Sequence, residues 1–424
     1  MKRLFLFLAA TCTFAQRLDL TRQGAEQLAL ANNPRVKVSQ LLTELQGQVV
    51  RETRAGEVPN VNGNLTAVEA EDGSRLSSGA LTASRLLEHA GIGIQVNQLI
   101  TDFGRTRNLI ASERLRERAQ QANSKATAED IILAADQVFY QALQAQTTLD
   151  VATQTVKTRQ ALVDQVNALT SSKLKSELDL NFSQVYLSQA KLLQVDARRN
   201  LENAQATLAA VLGRDKATSY HLVEDAGPLP TLPPNPDEAA VTALQNRPDL
   251  HALQLTTNAD SKFATAQKRQ LLPTISALGV AGYTPLGSAQ YFPENWYGAV
   301  GVNISVPIFN GSRFHAQAAE AEAQARIDSE HARDLRDRIA RDVRIAWNTA
   351  AAARQRVDVT AELLSQVNAA LSLAQTRYNL GLSSIVELSQ AQLGQTQAAI
   401  DDANARAGYR LAYAAFLFQT AANH

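Results

Sequence analysis

The chain has 424 residues, 45% hydrophobic and 19% charged, which excludes both a disordered chain and a polytopic helical membrane protein. Lys+Arg and Asp+Glu both number 41, so the net charge is zero and there is no basic footprint for nucleic acid. Aromatic residues at 5% and a single Met argue against one large globular core.

Met1-Lys2-Arg3 followed by LFLFLAA has the charged start and apolar centre of a secretory signal over 1–15, with Thr13-Phe14-Ala15 as the cleavage site. Cys12, the only cysteine, lies inside it, so the mature chain is expected to carry no disulfide and no thiol chemistry. Lipidation of Cys12 is the weaker reading, because Thr11 is a poor residue to precede a lipidated cysteine. No later stretch approaches about 18 apolar residues, so no membrane-spanning helix is expected.

From 16 to 226 the pattern predicts a helix near 23–54, strands near 59–68 and 91–100, and helices near 104–169 and 175–212. Val61, Leu65 and Ala67 alternate with Asn60, Asn62, Asn64 and Thr66, the period of a strand with one apolar face. Ile92, Ile94 and Val96 alternate in the same way until Gln98 interrupts. GPLPTLPPNPDE at 227–238 is a Pro-rich connector that cannot be helical. From 239 to 424 follow a helix near 239–270, strands near 273–283 and 298–308, and helices near 313–378 and 384–419. Val300, Val302, Ile304, Val306 and Ile308 occupy every second position of the last strand, and Asn310-Gly311 ends the pattern.

The two halves are copies. At an offset of 208, Val300, Val302, Ile304 and Ile308 fall on Ile92, Ile94, Val96 and Ile100, and Ser384 and Glu387 fall on Ser176 and Asp179. Upstream the offset is 214, where Pro248 answers Pro34. The long helix of the second copy keeps a heptad seam from Ile339 through Val343, Ala350, Val357, Leu364 and Leu371 to Tyr378. The matching seam of the first copy has one main exception, Arg159. A helix of about 66 residues is roughly 100 Å long at 1.5 Å per residue.

A plain antiparallel coiled-coil protein, soluble in a periplasm, accounts for these helices but not for four strands between them. At about 10 residues each, those strands have the length that crosses a bilayer when tilted. A lone four-stranded sheet would leave two open edges, which hydrocarbon forbids. A barrel must therefore close between copies of the chain, with about 8, 12 or 16 strands for two, three or four subunits.

LDLT at 18–21 with ALANNPRV, RPDLHALQ (247–254) with LLPTIS (271–276), VPIFNGSR (306–313) and TRYNLGLSSIVELSQAQ (376–392) resemble the outer-membrane efflux proteins, the TolC family. The likeness runs from about 18 to 420. It implies a mainly α chain with a membrane β-barrel, built as a homotrimer. A 12-stranded barrel in the outer membrane of a Gram-negative-type cell would continue into a 12-helix periplasmic coiled-coil tube. The implied partners are a periplasmic adaptor (membrane fusion) protein, an inner-membrane pump and outer-membrane lipid. The implied function is a passive exit duct for small molecules or metal ions. An exit duct for type I protein secretion shares the architecture and stays open as an alternative.

The resemblance places the Arg377–Ser389 turn at the inner, periplasmic end, where the duct narrows and meets its adaptor. Glu387, repeated around an axis, would make the pore cation-preferring, and Asp179 matches it; both also read as first-turn acids at helix N-termini. Gly381 suits a left-handed bend and Ser384 an N-cap, with Ser176 its counterpart; in the first turn Lys173 stands where Gly381 would fall. Tyr378 reads either as core packing or as a hydrogen bond that holds the tip closed. Leu380, Leu382, Ser383, Ser172 and Lys173 are the candidate adaptor contacts at the same turns. The candidate lipid-facing residues are Val300, Val302, Ile304, Val306, Ile92, Ile94 and Val96. Residues 73–89 and 284–297 are expected as outer loops, with Tyr291, Phe292, Trp296 and Tyr297 as an interfacial aromatic girdle. The six histidines are scattered, no His/Cys/acid cluster has metal-ligand spacing, and neither a phosphate-binding Gly-rich loop nor a nucleophile elbow occurs. No catalytic residue, cofactor or metal is therefore expected, and the energy for transport must come from a partner.

Overall fold

A computed structural model describes residues 18–69, 88–214, 220–224, 227–286 and 295–422. The expected signal with Cys12, and Tyr291 and Phe292 of the expected girdle, lie outside the described residues. The elements are β1 (Leu18–Leu20), α1 (Arg22–Asn32), α2 (Pro34–Ala55), β2 (Asn60–Glu69), β3 (Glu88–Thr101), α3 (Arg105–Ser171) and α4 (Glu177–Val211). After these come β4 (Tyr220–Leu222), α5 (Pro236–Asn246), α6 (Pro248–Lys268), β5 (Thr274–Leu286), β6 (Trp296–Ser305), α7 (Arg313–Asn379) and α8 (Ile385–Thr420). The helices predicted as continuous near 23–54 and 239–270 are each broken, at Asn33 and Arg247. Both residues precede a proline, which drives them out of the helical region to ψ 124° and 121°. The last strand stops at Ser305 rather than 308, because Pro307 has no N–H to give to a ladder. No helix among the described residues is long and apolar enough to cross a membrane.

The chain divides into two units, one of residues 40–123 and 249–335, the other of residues 1–39, 124–248 and 336–424. The first unit holds an antiparallel sheet in the order β2-β3-β5-β6. Its register sorts most side chains by polarity, with Gln98 the exception on the apolar face. Val61 pairs with Val96, Leu65 with Ile92, Ile92 with Tyr283, Ala277 with Val302 and Ile275 with Ile304, so all of these share one face. The opposite face carries Asn60, Asn62, Asn64, Gln95, Asn97, Ser276, Asn303 and Ser305, with Leu278 and Val280 as its apolar members. Pleat alternation alone produces this division. The apolar face is uncovered: Val300 is 93% exposed and Leu65 80%. Tyr283 and Trp296 meet at one end of that face with ring centroids 5.1 Å apart. Tyr297 belongs to the opposite face and is not a member of an apolar girdle. Its ring lies over Gly282 and Gly93, where a Cβ at position 93 would come within 2.6 Å of the phenol oxygen.

The same device turns strand into helix in both copies. Phe103 and Gly104 take φ of 55° and 87° between β3 and α3, and Gly311 and Ser312 take 63° and 67° before α7. In the first copy Asp102 fixes the bend. One carboxylate oxygen accepts from the Gly104 N–H at 3.0 Å; the other accepts from the Thr106 N–H at 2.7 Å and hydroxyl at 2.6 Å. Burial acts to raise the Asp102 pKa, but the hydrogen bonds from Thr106 and Gly104 outweigh it and hold the carboxyl below its usual value of 3.8.

In the second unit Phe139, Tyr140, Leu208, Leu212 and Leu222 form a core under the parallel pair β1–β4. That pair was not predicted, since three residues carry no periodicity. The seam of α7 is visible as burial: Val357, Thr360, Ala374 and Tyr378 are buried, while Asp358, Val359, Gln375 and Thr376 between them are exposed. The Pro-rich connector is strapped to α7 and α8 through its carbonyls. Trp347 Nε1 donates to Pro233 O at 2.8 Å, and the Tyr409 hydroxyl donates to Pro230 O. Asp136 of α3 is almost fully buried and shares Arg22 of α1 with Glu26. Burial first, then the negative charge of Glu26, pushes its carboxyl up from 3.8 to about 7, against the opposing pull of Arg22.

Two outcomes follow for unfolding of the extracted protein. Asp136→Asn raises the thermal midpoint at pH 8. A carboxyl with a raised folded pKa weakens the fold as it ionises, so the gain shrinks as pH falls from about 7 toward 4. Asp102→Ala lowers stability at pH 7 by about 1–2 kcal/mol. Its carboxyl has a lowered folded pKa, so that loss is full above about 3.8 and fades as pH drops through the folded value.

Candidate functional site

Two helix–helix turns lie in the second unit, α3 to α4 and α7 to α8. In both, the α-helix ends by the same pair of hydrogen bonds. Lys173 N–H donates to Thr170 O at 2.9 Å and Leu174 N–H to Leu169 O at 2.8 Å. Gly381 N–H donates to Tyr378 O at 3.0 Å and Leu382 N–H to Arg377 O at 2.8 Å. These are Schellman closures, which require a left-handed residue. Gly381 supplies it at φ 75° and Lys173 at φ 61°, so the lysine takes the glycine's conformation despite its Cβ. The next helix then starts on a serine. Ser176 Oγ accepts from Asp179 N–H at 3.1 Å and Ser384 Oγ from Glu387 N–H at 3.2 Å.

The two turns are held together inside the chain. Leu162 and Val166 of α3, Ala374 and Tyr378 of α7, and Ile385 and Leu388 of α8 form one buried cluster. The Lys175 ammonium sits 4.4 Å from the centre of the Tyr378 ring. Burial and then the negative charge of Asp179 push the Tyr378 phenol above its ordinary value of 10.0, and its oxygen has no hydrogen-bond partner among the described residues. Tyr378 thus packs and also joins the copies, through Lys175 rather than through a hydrogen bond. Lys175 was missed by sequence reasoning, because a lysine in a polar turn carries no signal for a ring one copy away.

Glu387 is half-exposed, and it is not a bare carboxylate. Arg377 Nε lies 3.4 Å from its Oε1, with both side chains 48% exposed. An exposed pair of this kind is worth about 0–1 kcal/mol, and its guanidinium opposes the local negative field of the carboxylate. Arg377 stands one residue before Tyr378 in RYNLG and could have been suspected from that position. Leu174, Leu380 and Leu382 project from the turns, each roughly two-thirds or more exposed at 71%, 69% and 66%. Ser172 and Lys173 are exposed beside Leu174, whereas the Ser383 hydroxyl is buried with no hydrogen-bond partner among the described residues. The residues Ile92, Ile94, Val300, Val302 and Ile304 are exposed on the apolar face of the sheet, with Val96 partly covered; Val306 is exposed just beyond the strand.

The family model for outer membrane efflux proteins matches residues 25–214 and 239–418. The outer membrane efflux protein BepC of Brucella suis biovar 1 is 24% identical over 383 residues, 88% of this chain and 79% of that protein. The outer membrane protein TolC of Escherichia coli K12 is 24% identical over 405 residues, 90% of this chain and 78% of that one. In fold, the chain is similar to the crystal structure of the Campylobacter jejuni CmeC outer membrane channel, with a TM-score of 0.79 and 15% identity over 94% of this chain and 85% of that one. With both long segments matched by its model, this chain belongs to the outer membrane efflux protein family.

Proposed function

We propose that this chain is the passive outer-membrane exit duct of a tripartite efflux system, moving small molecules or metal ions outward without chemistry of its own. The observation that carries the reading is the sheet: four strands with one mainly apolar, largely exposed face, interrupted by Gln98, and one face rich in amides and hydroxyls, open along β2 and β6. Lipid satisfies the first face and water the second, and only another strand satisfies the edges. Three chains give twelve strands in a closed barrel, with Ile92, Ile94, Val96, Val300, Val302, Ile304 and Val306 toward lipid.

The helices support the same closure. Leu178, Phe182, Val185 and Leu192 keep 4-3 spacing along α4 and are exposed, as are Val359, Leu363 and Leu373 along α7. Each chain thus offers two different unpartnered seams, and head-to-tail pairing of unlike surfaces closes a ring. A homotrimer would then carry a twelve-helix tube, built from tandem repeats over 16–226 and 239–424 joined by the 227–238 linker. The turns are its periplasmic end. Leu174, Leu380 and Leu382, with Ser172, Lys173, Ser176, Gly381, Ser383 and Ser384 around them, form the surface for an adaptor protein coupled to an inner-membrane pump. Glu387 rings the narrow end with Asp179 nearby, and Arg377 moderates the charge.

Electron microscopy of detergent-extracted particles tests the architecture: hollow, three-fold particles with a detergent belt are expected, and solid or two-stranded particles without a belt would overturn it. Bilayer recording tests the ring. Glu387→Ala should weaken cation preference or raise conductance, and Arg377→Ala should strengthen cation preference by unmasking the carboxylate. Unchanged selectivity in both variants removes the pair from the pore.

A further inference from the structure

Arg159 is the main exception in the heptad seam of α3, and the fold buries it to 4% exposure. Its Nη2 donates to the Ser389 carbonyl of α8 at 3.1 Å, and its guanidinium lies 5.3 Å from the centre of the Tyr186 ring of α4. Nη1 has no partner among the described residues, nor have Ser389 Oγ and Gln392 Oε1 on the facing side of α8. No ion pair from a described carboxylate to this guanidinium occurs, and Tyr186 is the one group whose charge bears on it among the described residues. One helical turn away, the Thr155 and Thr396 hydroxyls meet at 3.2 Å, so α3 and α8 face each other across a polar layer. On its other side lies the apolar cluster of Leu162, Val166, Ile385 and Leu388 that packs the turns. A cation taken from water without a counter-charge, beside polar atoms left unpaired, weakens the packing that buries it. The cover comes from the chain's own helices, so a neighbouring subunit cannot relieve it while these stay in place.

We propose that the Arg159–Ser389–Gln392 layer is the built-in yield point of the turn region, where α8 parts from α3 and the guanidinium regains water when the duct opens. This rests on reading the turns as the narrow end of the duct. The apolar cluster keeps the turns packed, and the polar layer keeps that packing shallow.

Amide hydrogen exchange on the full-length, detergent-extracted protein tests it. Arg159→Met removes the buried charge, and Gln392→Glu supplies the missing carboxylate. Each should slow exchange across 162–180 and 378–392 by about tenfold or more, with 236–246 unchanged. The double variant leaves a buried carboxylate without its cation and should exchange at least as fast as wild type. Exchange in either assembled single variant that equals or exceeds wild type would overturn the proposal, and Gln392→Glu decides if Arg159→Met does not assemble. Bilayer current is read separately: absence of current from the wild type counts against the duct reading and leaves the exchange comparison to judge the yield point.

Discussion

The backbone groups along the free edges of β2 and β6 are the constraint on which the rest depends. An unpaired N–H or C=O in hydrocarbon costs several kcal/mol, and each edge presents a row of them. The apolar face from Leu65 to Val300 has no cover among the described residues, so no described core buries it. A strand pair that is stable alone in water needs the reverse, an apolar face hidden and edges charged or short. This sheet has neither, and the proposed barrel is the arrangement in which both deficits vanish together.

Each hairpin's second strand passes almost directly into a long helix. The left-handed pairs Phe103-Gly104 and Gly311-Ser312 bend the chain within two residues, and α3 and α7 then run for 67 residues each. Their seams use Ala, Thr and Val more than Leu, so packing is close but each contact is small. That kind of interface is long and individually weak, which lets local polar features such as Asp136 and Arg159 carry weight out of proportion to their number.

At the turns, chemistry is spread over pairs rather than single residues. Glu387 carries its charge next to Arg377, and Tyr378 holds the two copies together through Lys175 with Asp179 nearby. The duplicated sequence gives both turns the same closure and the same serine cap, yet only the second has glycine at the left-handed position. Backbone geometry is therefore shared by the copies, and the side chains at the turns are not.

The sequence by itself determined the order of the long helices and the four sheet strands, the duplication, the two-faced strands and the long seams, because each of these repeats a period of 2, 3.5 or 208 that a linear string displays. Ser176, Ser384 and Gly381 were legible for the same reason: cap and bend chemistry is local. Tertiary structure alone decided that Lys173 adopts the glycine conformation, that Arg377 pairs with Glu387, and that Arg159 is covered by α4 and α8 with no carboxylate among the described residues to neutralise it. It also decided that Tyr297 lies across Gly93 and Gly282 on the polar face. These facts join residues from 10 to more than 200 positions apart in the chain, and no one-dimensional pattern encodes the distance between two side chains brought together by packing.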